Sequence, residues 1–325
     1  MKKNILVFSN GEKIGDAIIK LPLLHEIKKR LPDYYLTWIT NSGKTAYNNE
    51  LKNIANKYIN EIIEKVDLKP FFWKKISRRY NFKKIHYDYI FDTQKAVYRT
   101  IALKRINCDK FISATANGFF SSVKIKQNNQ LRNYYLNDLY DLLNLIKFYT
   151  IDSDFKIDIP ILLEKDLNNI FEINKKYIGL APGAGEKNKI WPLEKFIEVG
   201  KFYQKKNYKI VLYLGPNEKN IREILKKEFP EALLPEEKIT NFSNIEVVMA
   251  STKFLSCALA NDSGISHILS TKYCPLVKLF GPKDSMKFTP QNNFFKTISS
   301  SEFNSKDVCI IPVEKVLSEI NKILN

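Results

Sequence analysis

Three short segments of this sequence bring together residue types that do chemistry. The first is K-I-G-D-A-I-I-K-L-P (residues 13–22), where Gly15 permits a tight turn and Asp16 stands at or near a helix start. A carboxylate in that position either caps the helix or accepts a proton at the mouth of a ligand cleft. The second is A-P-G-A-G-E-K-N-K-I-W-P-L-E-K-F (181–196). Its glycines let backbone amides approach a phosphate, Lys187 and Lys189 add positive charge, and Pro192 suits the opening of a helix. No G-K-[S/T] follows the glycines, so this is not a Walker A loop. The third is A-L-A-N-D-S-G-I-S-H (258–267). Here Asp262 or Ser263 can cap a helix, while amides around Ser263 and Gly264 form an anion site. His267, one turn further on, either packs structurally or donates to a bound phosphate or sugar.

Two more turns, L-G-P-N-E (214–218) and L-F-G-P-K-D (279–284), end in the same style. Glu218 either binds a ribose diol or complements a helix amino terminus. Repeated phosphate-compatible turns in the second half point to a nucleoside diphosphate, with Asp16 contributed by the first half. Glycosyl transfer needs this pairing. A base takes the acceptor hydroxyl's proton, and cations with amides stabilise the departing diphosphate.

The order of these pieces resembles glycosyltransferase family 9, the ADP-heptose:lipopolysaccharide heptosyltransferases. The segments that carry the resemblance are a first strand followed by I-G-D and L-P, then Y-D-Y-I-F-D-T-Q (87–94). After them come P-G-A…K-I-W-P, G-P-N-E, N-D-S-G-I-S-H and L-F-G-P, so the series spans roughly residues 4–284. The resemblance implies an α/β GT-B fold, two Rossmann-like domains around a cleft, and an inverting reaction with no required metal. It implies no cofactor beyond a nucleotide-sugar donor. Asp16 would be the catalytic base and Lys189 the diphosphate ligand. Ala184 and Gly185 would lie in the phosphate loop, Asp262, Ser263, Gly264 and His267 would line the donor site, and Glu218 would sit near the nucleoside. The chain departs from the family pattern at Lys95, where glycine is common, and at Ser263, where threonine is commoner. Ala184 and Gly185 lack hydroxyls that some members place near the phosphate.

The elements that must hold these residues alternate. Strands are expected at Asn4–Phe8, Tyr35–Thr40, Tyr87–Asp92 and Lys110–Ser113, from their β-branched and aromatic content. Between the first two, Ile18, Leu21, Leu24 and Ile27 build one apolar face of a helix over Gly15–Arg30. Pro22 removes a backbone donor from it, and Lys28, Lys29 and Arg30 suit its carboxyl end. Thr115–Leu131 reads as a loop and Asn133–Phe148 as a helix. A second alternation follows, with strands at Tyr177–Ala181, Lys209–Leu214, Phe254–Ala258 and Pro275–Phe280. Its helices are Leu193–Gln204, Asn217–Glu228, Ser243–Ala250 and Gly264–Ser270, and an amphipathic helix, Val313–Leu324, closes the chain. Strands alternating with helices imply two parallel-sheet domains, residues 1–160 and 170–325, with the last helix expected across their junction.

Composition bounds the rest. At 325 residues and 44% hydrophobic, the chain can bury two cores and is not a disordered tail. No apolar run approaches the ~20 residues of a membrane span, and the short I-L-V-F stretch is too brief for a signal peptide, so a cytosolic protein is expected. Cys108, Cys257, Cys274 and Cys309 are dispersed, which suits reduced thiols better than zinc ligation or disulfides. The net charge of +17 is lopsided, with 27 basic and 13 acidic residues in 1–150 but 25 and 22 in 151–325. Such asymmetry suggests a polyanionic partner for the first domain, although a biased genome composition also raises lysine content. Residues 65–87 interleave Lys74, Lys75, Arg78 and Arg79 with Trp73 and other aromatics, a mixture suited to a bilayer interface or an anionic glycolipid acceptor. A solvated helix face accounts for the same residues, and nucleic acid is a weaker partner because no recognised motif accompanies them. The expected setting is the inner face of the cytoplasmic membrane. Another nucleotide-sugar with another surface glycan, or a non-catalytic protein of the same fold that binds a nucleotide or nucleic acid, are the competing readings.

Overall fold

The computed structural model describes residues 3–71, 85–124, 135–146, 158–215, 218–271, 274–281, 285–289 and 294–325. Trp73, Lys74, Lys75, Arg78 and Arg79 lie outside the described residues. The chain divides into two compact units, Met1–Phe155 and Lys156–Asn325.

The first unit runs β1 (Asn4–Ser9), α1 (Ile14–Arg30), β2 (Tyr35–Thr40), α2 (Lys52–Ala55), β3 (Glu61–Ile63), β4 (Tyr87–Asp92), α3 (Val97–Leu103), β5 (Cys108–Ser113) and α4 (Tyr135–Asn144). Its sheet order is β3-β2-β1-β4-β5, with every pair parallel. Ile5 to Phe8 of the central strand are fully buried, as an apolar run covered on both faces must be. Helix α1 starts with Lys13 in the cap position, so Asp16 is its third residue rather than its cap. The helix continues through Pro22 without a break. At its end Arg30 does more than complement the dipole. It is buried, pairs with Glu26 (Nε–Oε2 3.1 Å) and donates to Asn144 Oδ1 at 2.7 Å, which pins α4 to α1.

The second unit runs α5 (Ile161–Ile170), β6 (Lys176–Ala181), α6 (Leu193–Gln204), β7 (Tyr208–Leu212), α7 (Lys219–Glu228), α8 (Pro235–Lys238) and α9 (Asn244–Ser251). It continues with β8 (Leu255–Asn261), α10 (Gly264–Leu269), β9 (Leu276–Phe280), α11 (Ser285–Phe288), β10 (Phe295–Ser299) and α12 (Val313–Leu324). Its parallel sheet has the order β10-β9-β8-β6-β7. Trp191, Phe196, Tyr203 and Phe229 form its core, and α12 inserts Val313, Val316 and Ile320 into the same cluster. β8 is longer than expected. A 3₁₀ turn takes Phe254, and the small residues of A-L-A-N carry the strand on to Asn261. No helix among the described residues is long and apolar enough to cross a membrane.

Each sheet reverses its strand order once, between β1 and β4 and between β6 and β8. In open α/β sheets the crevice beyond the strands' carboxyl ends at such a point binds ligands. All three chemistry-bearing segments leave strands at these two points.

In the first unit the loops leaving β1 and β2 are stitched together. Gly43 N–H donates to the Asn10 carbonyl at 2.9 Å and Ala46 N–H to the Glu12 carbonyl at 3.0 Å. Gly11 makes this approach possible at φ 110°, where an added Cβ would lie 2.7 Å from Gly43 Cα and 2.8 Å from the Lys44 carbonyl oxygen. Gly11→Ala therefore adds a left-handed backbone penalty to a backbone clash, and should cost about 2 kcal/mol or more in urea unfolding. Gly185→Ala, where a Cβ meets nothing within 4 Å, should stay within about 0.5 kcal/mol of the parent.

Candidate active site

At the reversal point of the second unit, β6 runs into Pro182–Gly185 and β8 into Asp262 and Ser263. Asn261 ties the two exits together. Its Nδ2 donates to the Pro182 carbonyl at 2.6 Å, and its Oδ1 accepts from Trp191 N–H at 3.2 Å. The Trp191 indole N–H donates to the Ile311 carbonyl at 2.9 Å, anchoring the far end of the loop in the core. A single turn over Lys187–Lys189 then separates the two expected cations. Lys187 is exposed, whereas Lys189 is buried, with Nζ 2.9 Å from Glu186 Oε1 and 3.5 Å from Asp262 Oδ2. The second Asp262 oxygen lies 3.2 Å from Lys278 Nζ.

That pairing resolves the choice of helix cap. Ser263 caps α10, its Oγ accepting from Ser266 N–H at 3.5 Å, while its own N–H donates to Ser266 Oγ at 3.2 Å. The capping box thus uses the Ser263 amide that the sequence assigned to an anion site. Gly264 is the first helical residue, half-buried, and His267 lies half-buried on the same short helix. Ala184 is half-buried and Gly185 exposed. Glu218 occupies the cap position of α7 and folds its carboxylate back to accept from Gly215 N–H. A Cβ on Gly183 would overlap that carboxylate, so any side chain there would make the Glu218 carboxylate swing away from the β6 loop. Burial raises the Glu218 carboxyl above its ordinary value, against the lowering effects of Gly215 N–H and Arg222.

In the first unit, Asp16 is exposed in the first turn of α1 and makes no hydrogen bond or ion pair among the described residues. One turn further along, Lys20 is buried and pairs with buried Glu12 at 3.0 Å, close to the Trp38 ring. Burial would lower the Lys20 ammonium, but Glu12 and its neighbours outweigh it and the net direction is up. The other side of the reversal point is organised by Asp92. Its fully buried carboxylate accepts from Thr100 Oγ1 (2.7 Å), Ser113 Oγ (2.9 Å) and Gln94 N–H (2.9 Å). Thr93 fastens the same loop to β1, its hydroxyl donating to the Phe8 carbonyl at 2.9 Å.

Sequence reasoning missed Lys278 and the Glu12–Lys20 pair. A lysine inside the apolar run L-V-K-L-F was the available signal for the first. Nothing in the local pattern joins Glu12 to Lys20, because the intervening turn and helix bring them together. Among the described residues no group of three or more His, Cys, Asp or Glu is gathered as a metal site. The four cysteines are free, Cys257 and Cys274 buried and Cys309 exposed.

Two doubly wound units with residues of these types at each reversal point define an α/β protein of the GT-B type. Residues 86–314 match glycosyltransferase family 9 (heptosyltransferase), and the chain belongs to that family. It is 24% identical, over an alignment covering 93% of each chain, to lipopolysaccharide heptosyltransferase 1 of Campylobacter coli. With the lipopolysaccharide core heptosyltransferase OpsX of Haemophilus influenzae it shares 20% identity, covering 90% of this chain and 83% of the other. Among solved structures, the family 9 glycosyltransferase of Veillonella parvula matches with a TM-score of 0.72 at 19% identity, covering 99% and 97% of the two chains. The E. coli heptosyltransferase WaaC with ADP-2-deoxy-2-fluoro heptose matches at 0.65 and 15% identity, covering 98% and 99%.

Asp92 gives the site a pH signature. Burial pushes its carboxyl up to about 6, overcoming the hydroxyl and amide donors that pull it down. The unfolded carboxyl titrates near 3.9, so between about pH 4 and 6 the folded state binds the extra proton and stability falls as pH rises. The expected loss is about 3 kcal/mol, complete above the folded value. Asp92→Asn removes the titration. Relative to the parent, its unfolding free energy should rise by that amount between pH 4 and pH 7.5, whereas a difference independent of pH would contradict the assignment.

Proposed function

We propose that this chain transfers a heptose from ADP-heptose to a lipopolysaccharide-core acceptor, with inversion at the anomeric carbon. The observation that carries the reading is the division of chemical labour between the two reversal points. One offers a solvent-facing carboxylate, Asp16, with no partner among the described residues, and the other a buried lysine, Lys189, beside a glycine-bearing loop. Family membership and the names of the relatives, including the ADP-heptose analogue bound by the E. coli structure, support this choice of donor and acceptor.

In this reading Asp16 is the general base. It takes the proton of the acceptor hydroxyl as that oxygen bonds to the anomeric carbon on the face opposite the diphosphate. The bond from carbon to the diphosphate oxygen breaks, the nucleoside diphosphate carries away the electron pair, and one in-line displacement inverts the centre. Lys189 meets the developing charge as a fixed cation, so no metal is required. Ala184 and Gly185 shape the loop around the phosphates, Gly264 and His267 approach from α10 with Ser263 holding its first turn, and Glu218 accepts from the ribose hydroxyls. The basic and aromatic stretch containing Trp73, Lys74, Lys75, Arg78 and Arg79 meets the anionic acceptor and the inner membrane surface.

Asp16→Asn keeps the shape but removes proton acceptance, so turnover should fall about 10²–10⁴-fold with little change in donor affinity. Lys189→Ala should weaken the donor and free ADP together, by about 1.5–3 kcal/mol in calorimetry. Near-normal turnover in a folded Asp16→Asn variant would return Asp16 to the surface. Unchanged ADP affinity in Lys189→Ala would move the phosphate site elsewhere.

A further inference from the structure

β9 carries a charge where its fold asks for none. Leu276, Val277, Leu279 and Phe280 are fully buried, and Lys278 between them is only 2% exposed. Its register partner on β8 is Ala260, and Ala258 pairs with Leu276, so small side chains leave room for the lysine stem on that face. Lys278 Nζ lies 4.8 Å from the Phe280 ring centroid and 3.2 Å from Asp262 Oδ1. Asp262, itself 6% exposed, meets Lys189 through its other oxygen at 3.5 Å. One buried carboxylate therefore stands between two buried ammonium groups. On the outer side of Lys189 is Glu186, whose side chain is 56% exposed.

An ammonium is expensive to bury, and an apolar residue of similar volume would serve a parallel strand at lower cost. The pairing makes sense at a site for anions. A carboxylate beside a diphosphate repels it, and a carboxylate paired with Lys189 alone would hold the charge that the diphosphate needs. Resting on the reading that the second unit binds the donor's nucleoside diphosphate, we infer that Lys278 is a positioning residue for that site and acts through Asp262. Lys278 takes up the charge of Asp262 and fixes its orientation. Lys189 then exchanges its outer, solvated partner Glu186 for the diphosphate.

The test is calorimetric titration of the full chain with ADP and with adenosine. Lys278→Met should weaken ADP about tenfold and leave adenosine unchanged, since adenosine carries no phosphate. In an Asp262→Asn background, where no carboxylate remains to be neutralised, the same change should alter ADP affinity less than about twofold. Equal losses in both backgrounds, or no loss in the parent, overturn the inference. Should Lys278→Met fail to fold, Glu186→Gln reads the exchange from the exposed side, with ADP binding expected about threefold tighter. Unchanged or weaker binding there overturns it as well. Lys189→Ala separates the two claims, because full ADP affinity in that variant refutes the donor site itself.

Discussion

Ionised groups can be buried only in company, and apart from Arg30 and Glu26 at the end of α1 that company gathers, in both units, at the carboxyl ends of parallel strands. Asp262 is held between Lys189 and Lys278, and Glu12 by Lys20, while Asp92 is held by two hydroxyls and an amide. Each of these residues lies at, or pairs with a residue at, a point where its sheet reverses strand order. Removing one member of such a pair leaves the other desolvated and unmatched, which costs more than the pair contributes. The ion pairs do little for folding beyond an apolar core. Their effect is to hold polar side chains in fixed directions at the two places where a ligand can reach them.

Around those charges the loops are assembled by backbone contacts. Asn261 joins the exits of β6 and β8 and passes the constraint to Trp191, whose indole is fixed by the Ile311 carbonyl. Glu218 reaches the same exit because Gly183 has no side chain. Loops on such a scaffold need little reorganisation when a ligand arrives, which is what the proposed electrostatic stabilisation of a leaving diphosphate requires. Asp16 differs in kind. It sits in the first turn of a long helix, exposed to solvent and without a hydrogen bond or ion pair among the described residues, the setting that the proposed proton transfer calls for.

Much of this architecture was legible in the residues. Tyr35–Thr40, Tyr87–Asp92, Leu193–Gln204 and Val313–Leu324 occur with the expected bounds, because each has an unbroken apolar pattern with clear punctuation. β3 is only three residues long and β10 lies at a sheet edge, half-buried, so neither has a pattern strong enough to read. α5 hides for the opposite reason. It opens with Ile161 and Leu162, which are 73% and 67% exposed and blur its buried face. At the site, residue types and order were readable, but partners were not. Whether Asp262 or Ser263 capped α10 depended on Lys278, sixteen residues downstream on another strand. Tertiary pairing of that kind leaves no trace in local spacing.

The central claim is that the second unit holds the nucleoside diphosphate in the loops leaving β6 and β8. Amide hydrogen exchange of the intact chain, with and without saturating ADP, tests it most directly because it reports each loop separately. The account predicts slowed exchange in peptides covering 181–189 and 261–267, with peptides covering 4–30 unchanged. Protection confined to the first unit, or none in these two loops at saturation, would contradict it.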